Sequence, residues 1–202
     1  MALVDELTKE QLMHLEEHSF DKNYFGFWVY LMTDLVIFGV LFATYAVLHG
    51  NSFGGPTTRQ LYNLPFALAE TLILLASSFT SGVGMLMAHK KKKNQVLIWF
   101  GFTFILGASF LGLELSEFGK LIEEGNSFTR SAFLSSFFAL VGTHGTHIAS
   151  GLLWMLIVMI SVGFKGLTTG LIRKLTLLSL FWHFLDIVWI FIFTVVYLMG
   201  VL

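Results

Sequence analysis

An all-α membrane protein, a bundle of five transmembrane helices, is the fold class this sequence predicts, and three observations carry it. The 202 residues are 55% hydrophobic and only 12% charged, where a soluble domain carries about 25% charged residues. Mean hydropathy is +0.76. The apolar residues gather in five runs, each able to supply the ~20 residues that cross ~30 Å of hydrocarbon. The polar links between the runs are too short for a second domain.

The first element is a cytoplasmic N-terminal tail, residues 1–24. Asp5, Glu6, Glu10, Glu16 and Glu17 make it acidic, and it lacks the basic start and small-residue cleavage site of a signal peptide. Leu3, Leu7, Leu12 and Leu15 fall roughly at helical spacing. A short amphipathic helix that docks on a partner and a frayed tail fit this pattern equally. Residues 25–202 form the membrane domain, with helices expected near 25–48, 64–88, 96–115, 132–164 and 175–202. Trp28 and Trp99 stand near span ends, where indoles anchor at the interface. The fourth span is long and should tilt or protrude. The links are 49–63 with Gly54-Gly55-Pro56, 90–95, 116–131 and 165–174.

Charge orients the spans. Lys9, Lys22, Lys90, Lys91, Lys92, Lys93, Lys165, Arg173 and Lys174 fall on one side, and Arg59, Lys120 and Arg130 on the other, nine against three of the twelve basic residues. The positive-inside rule then puts the N-terminus in the cytoplasm and the C-terminus in the periplasm. The four-lysine run is an orientation signal with anionic head groups as its natural partners.

Composition also bounds the chemistry. The net charge of −1 and the absence of a basic patch exclude a nucleic-acid partner. With seven His and no Cys, thiolate-ligated clusters, a thiolate copper centre and disulfides are excluded, whereas imidazole-ligated haem or metal is not. No phosphate loop, nucleophile elbow or zinc-protease signature occurs, so no catalytic residue is assigned.

Ionisable residues inside spans are the candidates for function, because each costs ~2.5–3.5 kcal/mol near the bilayer centre on insertion scales. At ~1.5 Å per residue, Asp34 lies roughly 14 Å from the cytoplasmic boundary, and His183 and Asp186 roughly 12 and 17 Å. His144 and His147, entering from outside, come to roughly 8–12 Å from that same boundary. The five residues are expected in one slab. His144 and His147 share a helix face, and Gly142 and Gly145 among small neighbours permit close helix packing there. Interhelical hydrogen bonding that fixes the bundle is the plainer reading of this layer. A haem or metal site with His183 and a proton relay with Asp34 are the sharper ones. Glu70 and Glu114 are candidates for helix contacts through Ser or Thr hydroxyls, with Ser77, Ser78, Thr80 and Ser81 on the same span as Glu70, or for a proton exit route. Glu117 reads as a solvated helix end.

The spans also carry phrases of a known family: Phe25-Gly-Phe-Trp-Val-Tyr-Leu-Met-Thr-Asp34, Phe42-Ala-Thr-Tyr45, Glu70-Thr with Ser77-Ser78, Gly112-Leu-Glu114-Leu-Ser-Glu117-Phe, Phe137-Phe-Ala-Leu-Val-Gly-Thr-His144-Gly-Thr-His147, and Trp182-His183-Phe-Leu-Asp186-Ile-Val-Trp189. In this order, from Phe25 to Leu202, the chain resembles subunit III of haem–copper oxidases. Its five-helix length and Thr194-Val-Val-Tyr-Leu-Met-Gly200 are most similar to the bo-type ubiquinol oxidases. The resemblance implies a non-catalytic subunit of a proton-pumping oxidase in a bacterial inner membrane. It implies no redox cofactor on this chain, with haem and copper held in subunit I. Subunit I would be the direct partner, subunits II and IV would share the complex, and phospholipid would be bound, with Glu70, Glu114 and Trp182 as lipid or helix contacts. Protection from turnover inactivation and support of proton uptake are implied as well. The family's carbodiimide-reactive acid maps to Asp34 and its paired histidines to His144 and His147, one of which is expected to hydrogen-bond the acid. Larger relatives carry two further helices that wall a lipid cleft, and many carry Glu where this chain has Asp34.

Three other readings are kept: subunit III of a cytochrome c oxidase or a nitric-oxide-reductase-associated relative; a bis-histidine haem b electron carrier using His144 or His147 with His183; and a small proton channel through Asp34, His144 and His183.

Overall fold

In the membrane helices, buried positions recur every three or four residues, which turns one face of each helix inward. On the second helix these are Ala67, Glu70, Thr71, Leu74, Ser77, Ser78, Ser81, Gly84 and Ala88. On the third they are Val96, Phe100, Thr103, Gly107, Phe110, Glu114 and Leu121, alternating by four and three until the last step. The computed structural model describes residues 2–50 and 64–198, with side chains from Lys22 onward.

The described residues form helices joined by short turns and links: α1 Ala2–Leu48, α2 Leu64–His89, α3 Lys93–Glu123, α4 Ala132–Lys165 and α5 Thr169–Ile192, which continues as a π-helical turn, Phe193–Leu198. Five segments are long and apolar enough to cross a membrane: Lys22–Leu48, Leu64–His89, Lys93–Glu123, Ala132–Lys165 and Thr169–Leu198. The tail backbone is thus helical from Ala2, continuous with the first span. The 51–63 link, with Gly54-Gly55-Pro56 and Arg59, lies outside the described residues, as do residues 199–202 and the side chains of Leu3, Leu7, Leu12 and Leu15.

Two spans outrun their expected bounds. α3 continues eight residues past 115, so Glu117 and Lys120 belong to the helix. α5 begins at Thr169, where the Thr168 hydroxyl accepts the Leu171 N–H at 3.3 Å, a capping oxygen for an orphan donor. Polar residues at the ends of these helices hid their true length. Ser131 caps α4 in the same way, accepting the Leu134 N–H at 3.2 Å.

The chain divides into two compact units, residues 1–36 and 37–202. Within the larger one, α2 packs on α3, α3 on α4, α4 on α5 and α5 on α2, a closed four-helix ring. The end of α1 joins it through Phe42 against Phe191 and Tyr45 against Phe133. Both short links, 90–92 and 166–168, lie at one end of the ring: Lys93 Nζ donates to the Gly163 carbonyl at 2.7 Å. Outer faces are apolar, with Phe79, Ile105, Leu153, Ile157 and Phe164 exposed, as a lipid-facing surface requires.

Candidate functional site

Two floors of polar side chains cross the ring. The first is nearer the end with the short links. Trp182 Nε1 donates to Ser77 Oγ at 3.0 Å, and Ser77 Oγ donates to the Thr103 carbonyl at 3.3 Å. The Thr80 and Thr103 hydroxyls meet at 2.9 Å, and those of Ser81 and Ser179 at 3.5 Å. His183 Nδ1 lies 3.3 Å from Ser78 Oγ, and Asp186 reaches the same hydroxyl and lies within electrostatic reach of His183. Glycine makes room for this floor: a Cβ on Gly107 would stand 2.7 Å from the Trp182 ring.

The second floor lies seven residues further along α5, roughly 10 Å of helix rise. Trp189 Nε1 donates to Thr71 Oγ1 at 3.1 Å, and that hydroxyl donates to the Ala67 carbonyl at 2.8 Å. The Trp189 ring stacks on His144 with centroids 5.3 Å apart and meets Phe110 edge-on at 4.7 Å. Phe38 and Phe110 approach His144 edge-on at 6.3 and 6.0 Å. His144 is wholly buried, and neither ring nitrogen has a hydrogen-bond partner among the described residues. Glu70 and Glu114 are buried here too, with no hydrogen bond from a described residue to any of their four oxygens. Glu114 Oε1 fits against the bare backbone of Gly145, 2.8 Å from where a Cβ would stand. The floor ends in Glu117, whose Oε2 accepts the Tyr197 hydroxyl at 3.1 Å.

The histidines expected in one slab are therefore distributed. His183 and Asp186 join Ser78 on the first floor, and His144 stands on the second. His147 turns Nδ1 to the Thr143 carbonyl of its own helix at 2.8 Å and sets its ring beside Phe38 and Phe181, at 5.4 and 6.5 Å. Asp34 belongs to the 1–36 unit, where it is 5% exposed and interacts with the Tyr30 hydroxyl one helical turn back. Of the hydroxyls suggested as partners for Glu70 and Glu114, Ser77 and Ser78 serve Trp182 and His183, Thr80 meets Thr103 and Ser81 meets Ser179. Gly142 is the looser of the two packing glycines, since a Cβ there would meet only Phe118 at 3.8 Å. Thr71, Thr103 and Tyr197 escaped the sequence reading. Their signal was a register: Trp182 and Trp189 are seven apart, facing Thr71 and Ser77, which are six apart on an antiparallel helix.

Chemically, the hydrogen bonds of the floors tie α2, α3 and α5 together, and α4 packs on them through His144 and Gly145. Among the described residues, no group of three or more His, Asp or Glu side chains is arranged to hold a metal ion. His144 and His183 sit on different floors, each in its own packed surroundings.

Similarity to known proteins agrees with the architecture. Residues 17–201 match the family model described as cytochrome c oxidase subunit III. The cytochrome bo(3) ubiquinol oxidase subunit 3 of Pseudomonas aeruginosa is 55% identical over 94% of this chain and 92% of its own. The cytochrome c oxidase subunit 3 of Bacillus sp. PS3 is 48% identical over 89% of this chain and 87% of its own. The quinol oxidase subunit 3 of Bacillus spizizenii is 44% identical over 88% and 87%. Coverage on both sides is nearly complete, the matched stretch holds all five spans and both polar floors, and the chain accordingly belongs to the cytochrome c oxidase subunit III family.

Proposed function

We propose that the chain is the non-catalytic subunit III of a proton-pumping bo-type ubiquinol oxidase in a bacterial inner membrane. The observation that carries this is the 55% identity to the ubiquinol oxidase subunit of P. aeruginosa, against 48% to a cytochrome c oxidase subunit. Residues 25–202 form the membrane domain and residues 1–24 a cytoplasmic tail, with the C-terminus in the periplasm. The subunit packs beside subunit I, which holds the haem and copper, within a complex that includes subunits II and IV. It binds phospholipid on its apolar faces and sustains turnover and proton uptake. A ring whose polar groups are largely engaged in helix-to-helix bonds, with apolar outer faces, suits a scaffold better than a redox carrier.

The test is a progress curve of quinol-driven oxygen consumption by the purified complex, with and without this chain, at matched haem content. A normal initial rate that decays faster without the chain is expected. A zero initial rate despite intact haem and copper would overturn the accessory role. The Bacillus sp. PS3 relative favours a second reading, with cytochrome c as electron donor. Oxidation of reduced cytochrome c at a rate above that with ubiquinol would select it.

A further inference from the structure

Glu70 and Glu114 are the buried ionisable pair that neither helix packing nor the proposed scaffold role uses. Glu70 is 0% and Glu114 2% exposed, and among the described residues no group hydrogen-bonds any of their four carboxyl oxygens. The two lie within electrostatic reach of one another and of Glu117. Among the described residues, no positive charge offsets theirs. From α3, Glu117 adds a further carboxyl, held by Tyr197 of the π-turn. Lys120, one turn beyond, interacts with Glu117 and lies 5.9 Å from the Phe66 ring centroid. From α4 comes the bare backbone of Gly145, with His144 beside it enclosed by aromatic rings. From α5 comes Trp189, whose N–H is committed to Thr71. Burial without hydrogen-bond partners, and a neighbouring carboxyl, each make an ionised carboxylate costly there.

Access is built in. A groove of about 350 Å³ opens between α3 and α4, lined by Glu114 with Leu111, Phe118, Gly142, Gly145 and Thr146. It lies toward the end remote from the short links: Glu114 is twenty-one residues, roughly 30 Å of helix rise, beyond Lys93. We propose that Glu70 and Glu114 form a proton-binding site that holds at least one proton at neutral pH and exchanges it through this groove. The inference stands whichever electron donor the complex uses.

Two measurements on the purified whole complex test it. The first is infrared spectroscopy of the C=O stretch of protonated carboxyl groups. Wild type is expected to show a deuterium-sensitive band at neutral pH that is lost in the Glu70→Gln, Glu114→Gln double variant. The second needs no substitution in the pair. A membrane-permeant carbodiimide adds to a carboxylic acid: the acid oxygen bonds the central carbon, the acid proton passes to a nitrogen, and acyl migration gives a stable N-acylurea with nothing lost. An Asp34→Asn background removes the other candidate acid. Peptide mass spectrometry is then expected to find one whole reagent on Glu114. Identical infrared spectra of wild type and double variant, or no adduct on either glutamate, would overturn the proposal. Protection from the reagent by sodium at fixed pH would overturn it in favour of a bound alkali cation.

Discussion

At the scale of single residues, the two floors rest on contacts where one atom decides the fit. A methyl group on Gly107 would sit 2.7 Å from Trp182 ring carbons and 3.1 Å from Leu152, and a ring has no flexible end to yield. Gly107→Ala should therefore push Trp182 off Ser77 and destabilise the subunit by ~1–3 kcal/mol, the usual cost of overpacking. Thermal retention of the subunit in the detergent-solubilised complex measures this, and an unchanged midpoint would contradict it. Gly142→Ala, with 3.8 Å to Phe118, should be close to neutral and serves as the control. Trp189→Phe keeps the ring on His144 but removes the bond to Thr71. Its cost should be near ~0.6 kcal/mol, the average for interhelical hydrogen bonds in membranes, and a loss above ~2 kcal/mol would mean the indole does more than this bond. Part of this was legible beforehand. Buried ionisable residues inside apolar runs announced a polar interior, and Gly145 announced a close approach. Which hydroxyl meets which ring was not, because a one-turn offset between α2 and α5 decides it and no local pattern records that offset.

At the scale of elements, the five apolar runs were readable because span length is set by the bilayer and not by neighbours. Ends were less readable: Glu117 and Lys120 look like loop residues, yet Glu117 is held by Tyr197 and Lys120 lies over Phe66. The π-turn Phe193–Leu198 had no signal in the apolar pattern. Such a turn carries one extra residue in a helix, and here it aims Tyr197 at Glu117. Deleting Val195 should restore α-helical geometry and swing Tyr197 by about 100°, one residue's rotation, breaking that bond. Tyr197→Phe should match the deletion in thermal retention of the subunit, and the two changes together should cost no more than either alone. Additive losses would show that the turn has a role apart from this bond.

At the scale of the whole molecule, the question is which end faces the cytoplasm, and charge gives an answer that can be checked. The bond from Lys93 to the Gly163 carbonyl brings the two basic links together, so Lys90, Lys91, Lys92, Lys93 and Lys165 gather at one end. The opposite end carries Lys120 and Arg130, and Arg130 is occupied with Asn126 at 2.6 Å. An excess of unneutralised lysine on short links is what the insertion machinery retains in the cytoplasm. The chain has no cysteine, so single thiols can be placed without background. Lys90→Cys and Glu124→Cys put one exposed thiol at each end. In intact spheroplasts, a membrane-impermeant maleimide should modify the Glu124→Cys variant and leave the Lys90→Cys variant untouched until the membrane is permeabilised. The reverse pattern would invert the subunit. It would also move Glu114 and its groove, which lie toward the Glu124 end, to the cytoplasmic half of the membrane, so this labelling decides which aqueous phase the carboxyl pair would exchange protons with.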